Sequence, residues 1–123
     1  MITLHIILGI IVIHFFGDFI LQTDWQAKNK STNWIALLRH TVSYSTVWLL
    51  FCNGYSVITG NYLMVALFPL ITFICHTITD YFTSRWVKKS FDKQDHHYGF
   101  VKIGFDQVLH YTQLFLTYYF LTN

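Results

Sequence analysis

The chain reads as all-α: a four-helix transmembrane bundle with antiparallel neighbours and both termini on the non-cytoplasmic side. Three observations predict this. The 123 residues are 54% hydrophobic and only 11% charged, where soluble proteins carry about 25% charged residues. Four apolar segments each approach the roughly 20 residues that cross a bilayer core. The connections between them alternate in charge, basic then neutral then basic. A soluble domain this small would have too few polar residues to cover its surface. With no linker and no low-complexity stretch, residues 1–123 form one membrane domain.

The first helix is expected at about 2–21. It has no basic start and no small-x-small cleavage site, so it reads as a retained helix rather than a signal peptide. The loop at 22–33 carries Lys28 and Lys30. The second helix is expected at about 34–53, and the stretch 54–61 holds two glycines and no charge, which suits a polar turn. The third is expected at about 62–86, with Pro69 towards its outer part. The loop at 87–99 holds Lys88, Lys89 and Lys93, with Arg85 just before it and Lys102 just after. The fourth helix is expected at about 100–121. Short basic loops stay cytoplasmic, which places 22–33 and 87–99 on that side. The net charge of +2 is too small to suggest nucleic acid. Cys52 and Cys75 sit in apolar runs and read as small core residues.

The polar residues inside these segments form a pattern. His14/Asp18, His76/Asp80 and Asp106/His110 are each four residues apart, so each pair shares one helix face. The second segment contributes His40. At about 1.5 Å rise per residue, all seven lie roughly 6–15 Å inside the cytoplasmic boundary. Each Asp is nearer the cytoplasm and each His is deeper. Intramembrane Asp costs about 2.5–3.5 kcal/mol on insertion scales, so something must offset three of them. A divalent metal does so, because imidazole and carboxylate are its natural ligands. Seven donors exceed one tetrahedral shell, so the expectation is one or two ions, zinc first, with manganese and iron as the other candidates. Helix bundles build dinuclear sites from such residues. Two ions about 3.5–4 Å apart activate water and clamp an oxyanion. The plainer reading is a buried polar network that sets helix register without metal.

Around this layer, Gln22 continues the His14/Asp18 face and Gln113 the Asp106/His110 face, with Gln107 beside it, while Ser43 and Tyr44 follow His40 at helical spacing, and these residues are expected to orient the ligands. Arg39, Arg85, Lys28 and Lys102 are expected to ring the cytoplasmic mouth and bind an anionic group, a phosphate ester or lipid head group. Asp24 reads as a capping residue, Trp25 as an interfacial anchor, and His5, His96 and His97 as lying outside the layer. The leading function is a metal-dependent hydrolase of an anionic, membrane-associated substrate. Asp18, Asp80 or Asp106 would serve as catalytic base, with water activated by the metal as nucleophile. A transporter or channel for divalent cations or protons could use the same residues. The outer half of each helix is nearly devoid of polar residues, however, and leaves no through-path. Four helices enclose little volume, so a homo-oligomer in the bilayer is a further expectation.

Three stretches also carry a family resemblance. H-F-F-G-D-F-I-L-Q-T-D-W-Q-A-K at 14–28 resembles the opening of domain-of-unknown-function family 3307, which comprises small bacterial and phage membrane proteins. H-T-I-T-D-Y-F-T-S-R-W at 76–86 and G-F-D-Q-V-L-H-Y-T-Q-L at 104–114 are similar to its other two blocks, so the resemblance covers essentially the whole chain. It implies a multi-pass protein of the bacterial inner membrane, of host or phage origin, and supplies no activity. A non-enzymatic phage modulator of its host therefore stands beside the hydrolase and the transporter. In residue types alone the His/Asp pattern is also similar to inner-membrane metal-dependent hydrolases. The zincin motif H-E-x-x-H and the repeated H-x-x-x-H boxes of membrane desaturases are absent.

Overall fold

A computed structural model describes residues 2–123. Among them are five α-helices and no strand. Helix α1 (Leu4–Phe15) runs straight into a π-helical turn, Phe16–Ile20. Helices α2 (Asp24–Asn29), α3 (Trp34–Thr59), α4 (Leu63–Asp92) and α5 (His96–Thr122) follow.

The helices differ from the sequence-based expectation at their ends, and each difference has a local cause. The basic stretch 22–33 is not all loop, because Thr23 and Gln26 form a capping box that starts α2. The Thr23 hydroxyl accepts from the Gln26 N–H at 3.2 Å, and the Thr23 N–H donates to Gln26 Oε1 at 2.9 Å. Asn33 then caps α3, accepting from the Ile35 and Ala36 N–H groups at 2.8 and 3.2 Å. Helix α3 carries Gly54 within it and stops only at Gly60, whose φ of +74° is the left-handed cap that glycine takes without a Cβ clash. At the other basic connection, α4 and α5 leave only Lys93–Asp95 between them. There Gln94 turns the chain at a φ of +59°, and Asp95 caps α5 by accepting from the Tyr98 N–H.

Two helices are long and apolar enough to cross a membrane: α3, with mean hydropathy 1.2, and α4, with 1.7. The apolar stretch Leu4–Ile20 is shorter. Cross-helix contacts make successive long helices antiparallel. His14 meets Tyr44, and Asp18 meets His40. Trp48 meets Phe68, and Asp80 meets His110. One end of the molecule is apolar and closed. Ile10, Trp48, Cys52, Met64, Phe68, Leu114 and Tyr118 pack together there, and Asn61 donates to the Leu121 carbonyl at 2.9 Å. The Lys and Arg residues gather at the opposite end, on α2, the start of α3, the end of α4 and the start of α5.

Burial is inverted relative to a water-soluble protein. Among the described residues, buried polar side chains outnumber buried apolar ones. The outer surface is aliphatic and aromatic, with Leu50, Val57, Ile58, Phe82, Phe100 and Phe120 all strongly exposed.

Candidate metal centre

Four elements deliver the polar cluster to one layer. The π-helical turn supplies Asp18, α3 supplies His40, α4 supplies His76 and Asp80, and α5 supplies Asp106 and His110. Single π-turns inside helices recur at functional sites, where they re-aim a side chain. All of these except Asp106 are fully or almost fully buried, and Asp106 is 13% exposed.

The donor atoms converge. His40 Nε2 lies 3.0 Å from Asp18 Oδ1, 3.1 Å from His76 Nε2 and 3.3 Å from Asp80 Oδ2. His76 Nε2 lies 3.4 Å from Asp18 Oδ1 and 3.6 Å from Asp80 Oδ2. A tetrahedral ion with bonds of about 2.0–2.1 Å has donor–donor edges of about 3.3–3.4 Å. The five separations bracket that edge. Two imidazole nitrogens and two carboxylate oxygens therefore converge, and these four residues could hold a metal ion. A second group, Asp18, Asp106 and His110, meets the same distance condition and shares Asp18.

Stacking orients the rings. His76 lies between Tyr44, with centroids 3.9 Å apart and planes at 18°, and His110, at 4.1 Å and 26°. The Nδ1 atoms of His40 and His76 are buried without a hydrogen-bond partner, so the aromatic packing and the Nε2 side hold these rings. Gly17 makes room for the stack, because a Cβ there would sit 2.9 Å from Tyr44 Cδ2. Gly17→Ala is therefore expected to push Tyr44 off His76 and destabilise the protein by about 1–3 kcal/mol. Thermal unfolding together with metal titration checks this, and an unchanged variant would remove Tyr44 from the site's support.

His14 differs from the other histidines. Its Nε2–H donates to Gln107 Oε1 at 2.7 Å, and its Nδ1 accepts from the Tyr44 hydroxyl at 2.6 Å. The orientation of Gln107 is set by its Nε2, which donates to Asp18 Oδ2 at 3.2 Å and Asp106 Oδ2 at 3.1 Å. Both His14 nitrogens are thus engaged, and the structure places this residue behind the carboxylates with Asp18 Oδ2 at 3.6 Å. Gln107 joins three members of the cluster. Gln113 points elsewhere, donating to the Thr72 and Thr117 hydroxyls. Ser43 is half-buried on α3, and no hydrogen bond among the described residues joins it to the cluster.

The carboxylates, not the histidines, face an open cavity of about 500 Å³. Asp18, Asp80, Asp106 and Gln107 form its polar floor, while Phe19, Ala27, Val87, Phe91 and Ile103 form apolar walls. Gln22 and Ser84 also line it, each with a buried oxygen that has no partner. Its basic residues are Lys28, Lys30 and Lys88. The other cations expected at the mouth lie elsewhere. Arg39 sits over the Trp25 ring, Arg85 packs on Tyr81 and donates to its carbonyl, and Lys102 donates to Ser90 Oγ at 2.6 Å.

Two contributors escape a reading by helical spacing. Lys30 Nζ donates to Asp80 Oδ2 at 2.7 Å, reaching in from the end of α2. Burial works against the Lys30 ammonium, but the carboxylates of Asp80, Asp18 and Asp106 outweigh it and raise its pKa above the ordinary lysine value. Thr83 donates to Asp106 Oδ1 at 2.5 Å. Thr83 lies on the Asp80 face, three residues on, and that spacing could have pointed to it. The placement of Lys30 depends on α2, and the signal for α2 in the sequence is the Thr23–Gln26 capping pair.

A family model described as "Protein of unknown function (DUF3307)" matches residues 6–123. No curated protein and no solved structure matches the chain.

Proposed function

The chain belongs to the DUF3307 family, whose description assigns no activity, and from its site we propose a membrane-embedded, metal-dependent hydrolase of an anionic substrate. The convergence of two imidazole nitrogens and two carboxylate oxygens, with five separations of 3.0–3.6 Å, carries this reading.

The bilayer accounts for the inverted burial. Lipid replaces water around the exposed aliphatic and aromatic surface, with α3 and α4 crossing it and α1 and α5 packed beside them. The positive-inside rule puts the basic, cavity-bearing end in the cytoplasm of a bacterial inner membrane. Trp25, Trp34 and Trp86, all at that end and all exposed, suit the interfacial belt.

A divalent ion bound there supplies Lewis acidity, polarising a phosphoryl oxygen and lowering the pKa of nearby water. The chain supplies the rest. Lys28, Lys30 and Lys88 attract the anion to the cavity. Gln22 Oε1 and the Ser84 hydroxyl offer unengaged hydrogen-bonding atoms in its wall. Asp106, the most exposed of the three carboxylates, lines the cavity and would act there at the substrate-facing edge of the cluster. The apolar walls accept the non-polar part of a membrane-associated substrate. A cavity of this size is in the range of small-molecule sites. Passage across the membrane fits less well, because Trp48, Phe68, Met64 and Leu114 fill the bundle beyond the histidines.

The test uses detergent-purified full-length protein loaded with zinc, manganese or iron. Release of inorganic phosphate from p-nitrophenyl phosphate and from phosphatidic acid in mixed micelles is expected with metal, and its loss with chelator. No release from either substrate with any of the three ions would overturn the hydrolase reading.

A further inference from the structure

We infer that the cluster is built for two metal ions, with Asp18 and Asp80 each bridging them; this rests on the metal-site reading above. The two carboxylates divide their oxygens between two centres. Asp18 turns Oδ1 to His40 and His76, and turns Oδ2 the other way, to Gln107. Asp80 does the same, with Oδ2 toward His40 and His76, and Oδ1 toward His110 at 3.2 Å. His110 Nε2 is also 3.2 Å from Asp106 Oδ1. Both separations match the donor–donor edge of about 3.3 Å of a tetrahedral ion.

The second centre therefore draws on His110, Asp106 and Asp18, which could hold an ion together, with Asp80 Oδ1 reaching His110 from the other side. The first draws on His40, His76, Asp18 Oδ1 and Asp80 Oδ2. Facing helices that give carboxylates and histidines to one interior layer are the established frame for such pairs. The two centres differ in access. The first sits among the buried rings, and the second lies on the cavity side with the part-exposed Asp106. The first set of ligands would hold an ion that ties the helices together, and the second set would hold one within reach of a substrate in the cavity.

Charge then selects the substrate class. Three carboxylates, the Lys30 ammonium and one divalent ion balance one another, with neutral histidines as ligands. A second ion leaves the floor with two positive charges. A phosphate monoester, doubly charged near neutral pH, is the complement of that floor.

The test is a manganese titration of the full-length protein in detergent, read by bound equivalents and by electron paramagnetic resonance. Wild type is expected to bind about two equivalents with a spin-coupled spectrum, since bridged ions lie about 3.5–4 Å apart. Asp106→Asn, which keeps the side-chain shape, is expected to fall to about one equivalent with the spectrum of an isolated ion. Inorganic phosphate is expected to perturb the coupled spectrum of wild type. One equivalent in wild type, or two that are uncoupled, would overturn the paired centre and leave the first intact. No bound manganese, zinc or iron would overturn both. If Asp106→Asn does not fold, the coupling in wild type decides alone.

Discussion

Replacing Asp80 with alanine is expected to abolish stoichiometric metal binding and to destabilise the metal-free protein by about 3–5 kcal/mol. The carboxylate is 1% exposed and has no slack. Its Oδ2 faces Lys30 at 2.7 Å, His40 at 3.3 Å and His76 at 3.6 Å, and its Oδ1 faces His110 at 3.2 Å. Truncation deletes a ligand shared by both centres and strands the Lys30 ammonium without its closest counter-charge. Asp80→Asn separates the two effects. The amide keeps the volume and can still accept from Lys30, so folding is expected to survive, while the lost charge still removes the metal. Thermal unfolding of the stripped protein and metal titration of both variants read the two halves. Asp80→Asn with wild-type metal affinity would show that the ion, if bound, sits elsewhere.

Lys30→Met is expected to have an opposite consequence: tighter metal binding after loss of a basic residue. In the metal-free protein Lys30 is the only lysine or arginine bonded to the buried carboxylates among the described residues. Its removal leaves Asp80 paired only with imidazoles, at a cost of about 3 kcal/mol. In the loaded protein the metal ion supplies that neutralisation, so the same substitution costs much less. The difference appears as metal affinity, tenfold for each 1.4 kcal/mol, giving a gain of about ten- to a hundredfold. Activity is expected to move differently, with KM for an anionic substrate rising as the cavity loses a cation. Competitive metal titration against a chelator of known affinity measures the first effect. Unchanged or weakened metal binding would mean that Lys30 supports the ions rather than standing in for one.

The helical fold and the polar layer were legible because both rest on local rules. Helical spacing aligns His76 with Asp80 and Asp106 with His110 whatever surrounds them. Antiparallel order then brings His40 to the same depth. What the sequence could not reveal depends on side-chain direction between helices. His14 has the same spacing to Asp18 that His76 has to Asp80, yet the Tyr44 hydroxyl and Gln107 occupy both its nitrogens. Arg39 and Arg85 stand near the correct end, but the aromatic faces of Trp25 and Tyr81 hold them away from the cavity. Lys30 looked like an ordinary loop cation, because a six-residue helix was needed to aim it inward. Helix ends differ from expectation where one residue decides them, as at Gly60, whose left-handed cap ends α3 well past Gly54.

Zinc-edge X-ray absorption on the detergent-purified, zinc-loaded full chain tests the metal centre most directly. The expected spectrum has a mixed nitrogen and oxygen shell at about 2.0–2.1 Å, with outer-shell imidazole scattering that falls in His76→Ala. Failure to retain zinc, or an all-oxygen shell with no imidazole scattering, would contradict a metal held by His40, His76, Asp18 and Asp80.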